Sequence, residues 1–175
     1  EKDSKGTVIN NGSLMTTINI KQIPTNLEII LDDVKLDPGE TLKLRAILHD
    51  QTGENMVAKV YFTIKNSDEE TIGKFEKLTE EYFEYDINKT ELPNTWRITA
   101  FSEELNAKTA FTINEKKEIN TEILNSTLII TNIGNVEYQE IIDVQIGEEI
   151  KKIELNLKIG EIQKLNIAGN LLIMQ

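Results

Sequence analysis

Cysteine is absent from this 175-residue chain, which excludes disulfide staples, thiolate metal sites and thiol nucleophiles together. It leaves the compartment open, because a domain with an adequate core does without disulfides even outside the cell. Histidine is nearly as scarce. His49 is the only one, so Ser-His-Asp chemistry would have to use it, and a catalytic zinc site would lack imidazoles. It stands at the end of an alternating run that enters Asp50-Gln51-Thr52-Gly53, the place of an ordinary strand-end side chain. Long apolar runs are missing as well. The longest is Leu171 to Met174, far below the roughly 20 residues of a membrane helix, so no direct membrane insertion is expected. Basic residues are outnumbered, 19 Lys and Arg against 30 Asp and Glu for a net charge of -11, and they are scattered. That argues against nucleic acid and against an anionic membrane surface as partners. The acidic runs Asp32-Asp33, Asp68-Glu69-Glu70, Glu80-Glu81 and Glu103-Glu104 contain no D-x-[DN]-x-[DN]-G calcium loop and read as a solvated face. No catalytic, cofactor-binding or metal-binding residues are assigned, and no enzyme activity is expected.

What is present is a period of two. Leu42 and Leu44 alternate with Lys43 and Arg45; Trp96, Ile98 and Ala100 with Arg97 and Thr99; Ile142, Val144 and Ile146 with Asp143 and Gln145; Ile153, Leu155, Leu157 and Ile159 with Glu154, Asn156 and Lys158. Each reads as a half-buried strand. No helical stripe of useful length occurs. Lys77 to Glu84 is the best candidate for a helical turn, yet its Tyr82-Phe83-Glu84-Tyr85 end favours strand. Turn chemistry punctuates the runs at Asn10-Asn11-Gly12, Asp37-Pro38-Gly39, Gln51-Thr52-Gly53, Lys65-Asn66-Ser67-Asp68, Leu92-Pro93-Asn94, Asn132-Ile133-Gly134-Asn135, Gly147-Glu148, Gly160 and Ala168-Gly169-Asn170. Short strands between frequent turns indicate an all-β chain of antiparallel sandwiches.

The chain also repeats itself. Leu36 to Leu44 and Leu157 to Leu165 share the pattern L-x-x-G-E-x-x-K-L, each time at a tight turn feeding an alternating strand, as two copies of one kind of module would. The polar stretch Asn114-Glu115-Lys116-Lys117-Glu118 marks the boundary. Residues 27–114 are expected to form one Ig-like sandwich and 115–175 a second, shorter one. Residues 7–22 read as a hairpin, Val8-Ile9 and Leu14 to Ile20 around Asn11-Gly12. Residues 1–26 then either finish a preceding domain or supply strands to one of these two. Because the chain opens on Glu1 without initiator Met or leader, it is read as a segment of a longer polypeptide.

Leu128-Ile129-Ile130-Thr131-Asn132-Ile133-Gly134-Asn135-Val136, followed by Leu155-Asn156-Leu157-Lys158-Ile159-Gly160-Glu161, resembles the CARDB-like and S-layer-related β-sandwich repeats of prokaryotic surface proteins. Leu36 to Leu48, with Pro38-Gly39-Glu40, and the closing Leu92-Pro93-Asn94-Thr95-Trp96-Arg97-Ile98-Thr99-Ala100 resemble bacterial Ig-like and macroglobulin-like modules. Those usually close on P-G-T-Y-x-I-x-A, and this chain has Asn94 and Trp96 where Gly and Tyr are common. The resemblance covers roughly residues 27–170. It implies two tandem antiparallel Ig-like β-sandwich domains in an extracellular, cell-surface setting, and carries no catalytic residues over. The expected role is a structural or adhesion module, a spacer or stalk, meeting protein or envelope-polymer partners through loops or edge strands. A pair such as Lys151-Lys152 would blunt one such edge. The alternative is a carbohydrate- or protein-binding accessory module of a larger secreted enzyme. For that reading the exposed-aromatic candidates are Tyr82 and Tyr85, since Trp96 belongs to a core pattern. Sequons occur at Asn11, Asn88 and Asn125, a number close to chance, and would accept glycans only on an exported chain.

Overall fold

Alternation, not propensity, organises the chain: in β3, Thr41–Asp50, the residues Leu42, Leu44, Ala46 and Leu48 are fully buried, while Lys43 between the first two is exposed. The computed structural model describes residues 2–7, 12–17, 21–146, 148–166 and 171–173. The expected strand Val8-Ile9 and the residues Asn11, Gly147 and 167–170 lie outside them. Of the expected strand from Leu14 to Ile20, residues 14–17 carry no strand, with Leu14 and Met15 almost fully exposed, and 18–20 are outside the described residues.

The described residues hold no helix and fifteen strands. The first nine make two facing sheets. One contains β1, Pro24–Leu31, along one side of β3, with β4, Asn55–Met56, and β7, Phe83–Asp86, sharing the other side. The second runs in the order β2-β9-β8-β5-β6, from β2, Lys35–Leu36, through β9, Leu105–Ile113, β8, Asn94–Ser102, and β5, Lys59–Lys65, to β6, Thr71–Leu78. All pairings are antiparallel except the short parallel one of β2 with β9. Their inward faces close one core. A file of aromatic rings crosses it: Phe62, Phe83, Phe75, Tyr85, Trp96 and Phe111, each ring centroid 4.2 to 6.4 Å from the next.

The remaining strands form two three-stranded sheets. One holds β10, Ile119–Leu124, β11, Thr127–Asn132, and β14, Ile162–Asn166, with β11 central. The other holds β12, Tyr138–Ile146, between β13, Glu149–Leu157, and β15, Leu171–Ile173. Leu128 and Ile130 from the first meet Val144, Leu155 and Leu157 from the second in a separate, smaller core. The fold is therefore all-β, built of antiparallel sheets packed as sandwiches. Lys151 and Lys152 lie on β13, an edge among the described strands, where charge opposes pairing with another chain.

The region Lys77 to Glu84 contains no helical turn. β6 ends at Leu78, Glu80 takes a left-handed φ of 70°, and β7 begins at Phe83. The β10–β11 hairpin turns on Asn125-Ser126, both left-handed at φ 48° and 60°, the geometry that suits strand twist. No glycine marks this turn.

Candidate functional site: turns and a buried joint

The repeated nonapeptide makes one structure twice. Asp37 N–H donates to the Glu40 carboxylate at 2.7 Å while Glu40 N–H donates back to the Asp37 carbonyl, and Gly39 sits at φ 91°. Lys158 N–H likewise donates to the Glu161 carboxylate at 2.8 Å, Glu161 N–H donates to the Lys158 carbonyl, and Gly160 sits at φ 73°. Positive φ at the third turn position needs glycine, and the glutamate seals the turn from its own side chain. Leu36 and Leu157 before each turn are both buried. In each case the turn carries the chain from one sheet of a sandwich to the other: β2 to β3, and β13 to β14.

His49 and Asp50 part company. His49 lies on β3 with Nε2 3.9 Å from a Glu28 carboxylate oxygen. Asp50 points inward, continuing the buried face of β3. Its Oδ1 accepts from the Thr52 hydroxyl at 2.7 Å, the Thr52 amide at 2.8 Å and the Glu54 amide at 3.0 Å, and its Oδ2 accepts from the Gln22 side chain at 3.1 Å. The Thr52 hydroxyl bond leads these in holding the Asp50 carboxyl at about 2, against an ordinary 3.8, and burial opposes it. A depressed carboxylate contributes stability that is complete above the unfolded pKa and lost as pH falls through the folded one. Asp50→Asn should therefore be less stable than wild type above about pH 4. The gap should narrow through the interval between 3.8 and about 2, read by urea unfolding at stepped pH; a gap independent of pH contradicts the assignment.

Asn132-Ile133-Gly134-Asn135 is a turn, as expected. None of its residues has positive φ. Gly134 is required for room: a Cβ there would run into the Lys116 carbonyl oxygen and come within 2.9 Å of the Glu118 nitrogen. Both asparagines are buried, at 1% and 0% exposure. Asn132 donates from Nδ2 to the Val136 and Leu157 carbonyls and accepts at Oδ1 from the Gly134 amide. Asn135 donates from Nδ2 to the Glu91 and Asn114 carbonyls, 2.8 and 2.9 Å, and accepts at Oδ1 from the Lys116 amide, 2.7 Å. Glu91 belongs to the loop before β8 and Asn114 follows β9, so this side chain ties the two sandwiches together. Sequence reasoning missed that, since the partners are backbone groups 19, 21 and 44 residues away.

The aromatic candidates do not form a platform. Tyr82 is half exposed, with the Arg45 guanidinium 5.3 Å above its ring, while Tyr85 points the other way into the aromatic file. Burial, with a smaller effect from the Glu91 carboxylate, pushes the Tyr85 phenol up from its ordinary value. Trp96 is 2% exposed, in the core. Asn88 is exposed and accepts from the Thr90 amide and hydroxyl, 3.1 Å each; Asn125 heads the β10–β11 turn. An exposed pair the sequence did not single out is Tyr61 and Phe101, direct cross-strand partners on the outer face of the larger sheet. Period two signals them, since Tyr61 lies between the buried Val60 and Phe62. Among the described residues, no group of three or more His, Asp or Glu side chains is placed to hold a metal ion.

No family model matches the sequence, and no curated protein is similar to it. Solved structures similar in fold include trypsin-activated alpha-2-macroglobulin from Escherichia coli, at 11% identity and TM-score 0.47 over 79% of this chain and 13% of that one. The native conformation of the same Escherichia coli protein gives 11% identity and 0.47 over 79% and 12%. Surface layer protein SbsC, domains 1–6, gives 12% identity and 0.39 over 91% and 27%. The chain spans about a quarter or less of the length of each of these chains.

Proposed function

We propose that the chain is a non-catalytic structural module, a spacer of an extracellular cell-surface or envelope protein. One observation carries this reading. The buried polar side chains among the described residues are Asp50, Thr79, Ser102, Asn132 and Asn135, and each is hydrogen bonded to backbone groups that close a turn, a strand end or the joint. A site for chemistry keeps buried polar groups aimed at a ligand; here they hold the chain to itself. The surface setting rests on the resemblance of the N-x-G-N and L-x-x-G-E stretches to prokaryotic surface repeats.

The test is an exchange. In the parent polypeptide, residues 24–173 are replaced by two unrelated sandwich domains of equal length. A spacer expects normal display and reach of the flanking parts, read by antibody access on whole cells, whereas deletion without replacement shortens the reach. Loss of function despite restored length counts against it and favours the second reading, a binding module. That reading has one specific support, the exposed Tyr61 and Phe101 side by side on a sheet face, where ring faces could meet a sugar or a protein.

A further inference from the structure

Two domains joined by a charged stretch such as Asn114 to Glu118 would ordinarily move against each other, since interfaces within a chain are small and linkers solvated. Here the linker's backbone is consumed. Asn114 is held to the first sandwich by its amide on the Leu36 carbonyl at 2.8 Å and by its side chain on the Asp37 carboxylate at 2.8 Å. Its own carbonyl accepts from Asn135. Lys116 exchanges both backbone groups with Asn135, through N–H to Oδ1 at 2.7 Å and carbonyl to Asn135 N–H at 3.0 Å. The Glu118 carbonyl accepts from the Ile133 and Gly134 amides, at 2.9 and 3.1 Å. Gly134 lies flat on this stretch with no space for a methyl group. The second Nδ2 hydrogen of Asn135 reaches past the linker to the Glu91 carbonyl, in a loop itself fastened by Glu91 N–H on the Asn88 carbonyl at 3.0 Å. Outside the joint, Lys117 Nζ approaches the Glu140 carboxylate of β12 at 3.5 Å.

From this we infer that Gly134 and Asn135 form a clasp that fixes the two sandwiches at one angle, making the tandem a rigid strut. Asn135 is matched to the task by chemistry: two donors meet two carbonyls from different parts of the first sandwich, and one acceptor meets an amide of the linker, all at 0% exposure. No other side chain of that size offers two donors and an acceptor in one plane. Aspartate keeps the acceptor and replaces the two-donor Nδ2 by a single oxygen that faces both carbonyls. A buried polar group left unpaired in this way is more costly than the bond it made, so the clasp opens. The inference deepens the spacer reading, which supplies its purpose: a stiff joint projects a flanking domain in a set direction, where a loose one only tethers it.

The absence of cysteine makes the test direct. Lys108→Cys on β9 and Glu154→Cys on β13, both exposed, take spin labels, and double electron–electron resonance gives the distribution of distances between the sandwiches. Wild type should show one narrow distribution. Asn135→Asp and Gly134→Ala should each widen it severalfold, with circular dichroism and Trp96 fluorescence still reporting folded sandwiches. Ile130→Val, which weakens the second core without touching the clasp, should leave it narrow. A broad wild-type distribution overturns the inference, and so does a narrow one in both clasp variants. Should neither variant fold, the wild-type width decides. These distances are measured on the isolated chain, so they stand or fall separately from the exchange experiment that tests the spacer role.

Discussion

Trp96→Ala should destabilise the first sandwich by about 3–5 kcal/mol, the range for emptying a large aromatic site in a core. Trp96 is the fifth ring in the file that crosses between the sheets, 6.3 Å from Tyr85 and 5.8 Å from Phe111. Its removal takes away its own buried surface and the edge contacts of both neighbours, each pair contributing about 0.5–1.5 kcal/mol beyond area. The site cannot collapse easily, because β8 is held on one side by β5 and on the other by β9. Marginal domains have about 5–15 kcal/mol in all, so most of the reserve goes. Calorimetry should show the transition lowered by at least about 10 °C. A shift of only a few degrees would mean that the cavity is refilled and that the ring file is not the keystone assigned to it.

The second large effect is expected at Ile130→Ala, about 2–5 kcal/mol. Ile130 is fully buried on β11, the central strand, paired with Thr121 of β10 and Gln163 of β14. Among the described residues only five apolar side chains are fully enclosed in that core, against sixteen in the first, so each carries a larger share. The consequence is a split in behaviour. Trp96, the one tryptophan, reports the first sandwich alone, while circular dichroism reports both. In Ile130→Ala the dichroism should begin to fall well below the temperature at which the fluorescence changes. Coincident transitions, shifted equally, would show that the cores unfold as one unit.

Much of this architecture was legible because burial on one sheet face writes itself as period two. Leu42, Leu44 and Trp96, Ile98, Ala100 declare their strands and their inward faces, and the L-x-x-G-E repeat declares a turn whose glutamate seals it. Elements without a buried face on both flanks were harder. β6 is an edge strand exposed along most of its length, with only Phe75 reaching well inward, so its sequence carries little alternation, whereas the strand favoured at Tyr82 to Tyr85 is there as β7. Asp50 occupies a core-facing position at the end of β3, and no local signal tells that Gln22, 28 residues away, completes its shell. The joint was half visible. Asparagines flanking a glycine announce a reversal, and they do make one, though none of these residues takes a left-handed φ. Close approach of the linker demands Gly134, and three distant backbone groups demand Asn135. Neither demand is local, so neither could be read from neighbours in the chain.

Lys116-Lys117 looks from the sequence like an invitation to trypsin-like proteases: two basic residues, exposed side chains, set between domains. A protease must draw several residues of backbone into an extended form and pair with their amides and carbonyls. At Lys116 and on either side of the dibasic pair those groups are already occupied, by Asn135 on the Asn114 carbonyl and on both backbone groups of Lys116, and by Ile133 and Gly134 on the Glu118 carbonyl. Cleavage must wait until the clasp lets go. The point where a two-domain chain is ordinarily nicked first is thus shielded by the same asparagine that holds its two sandwiches together.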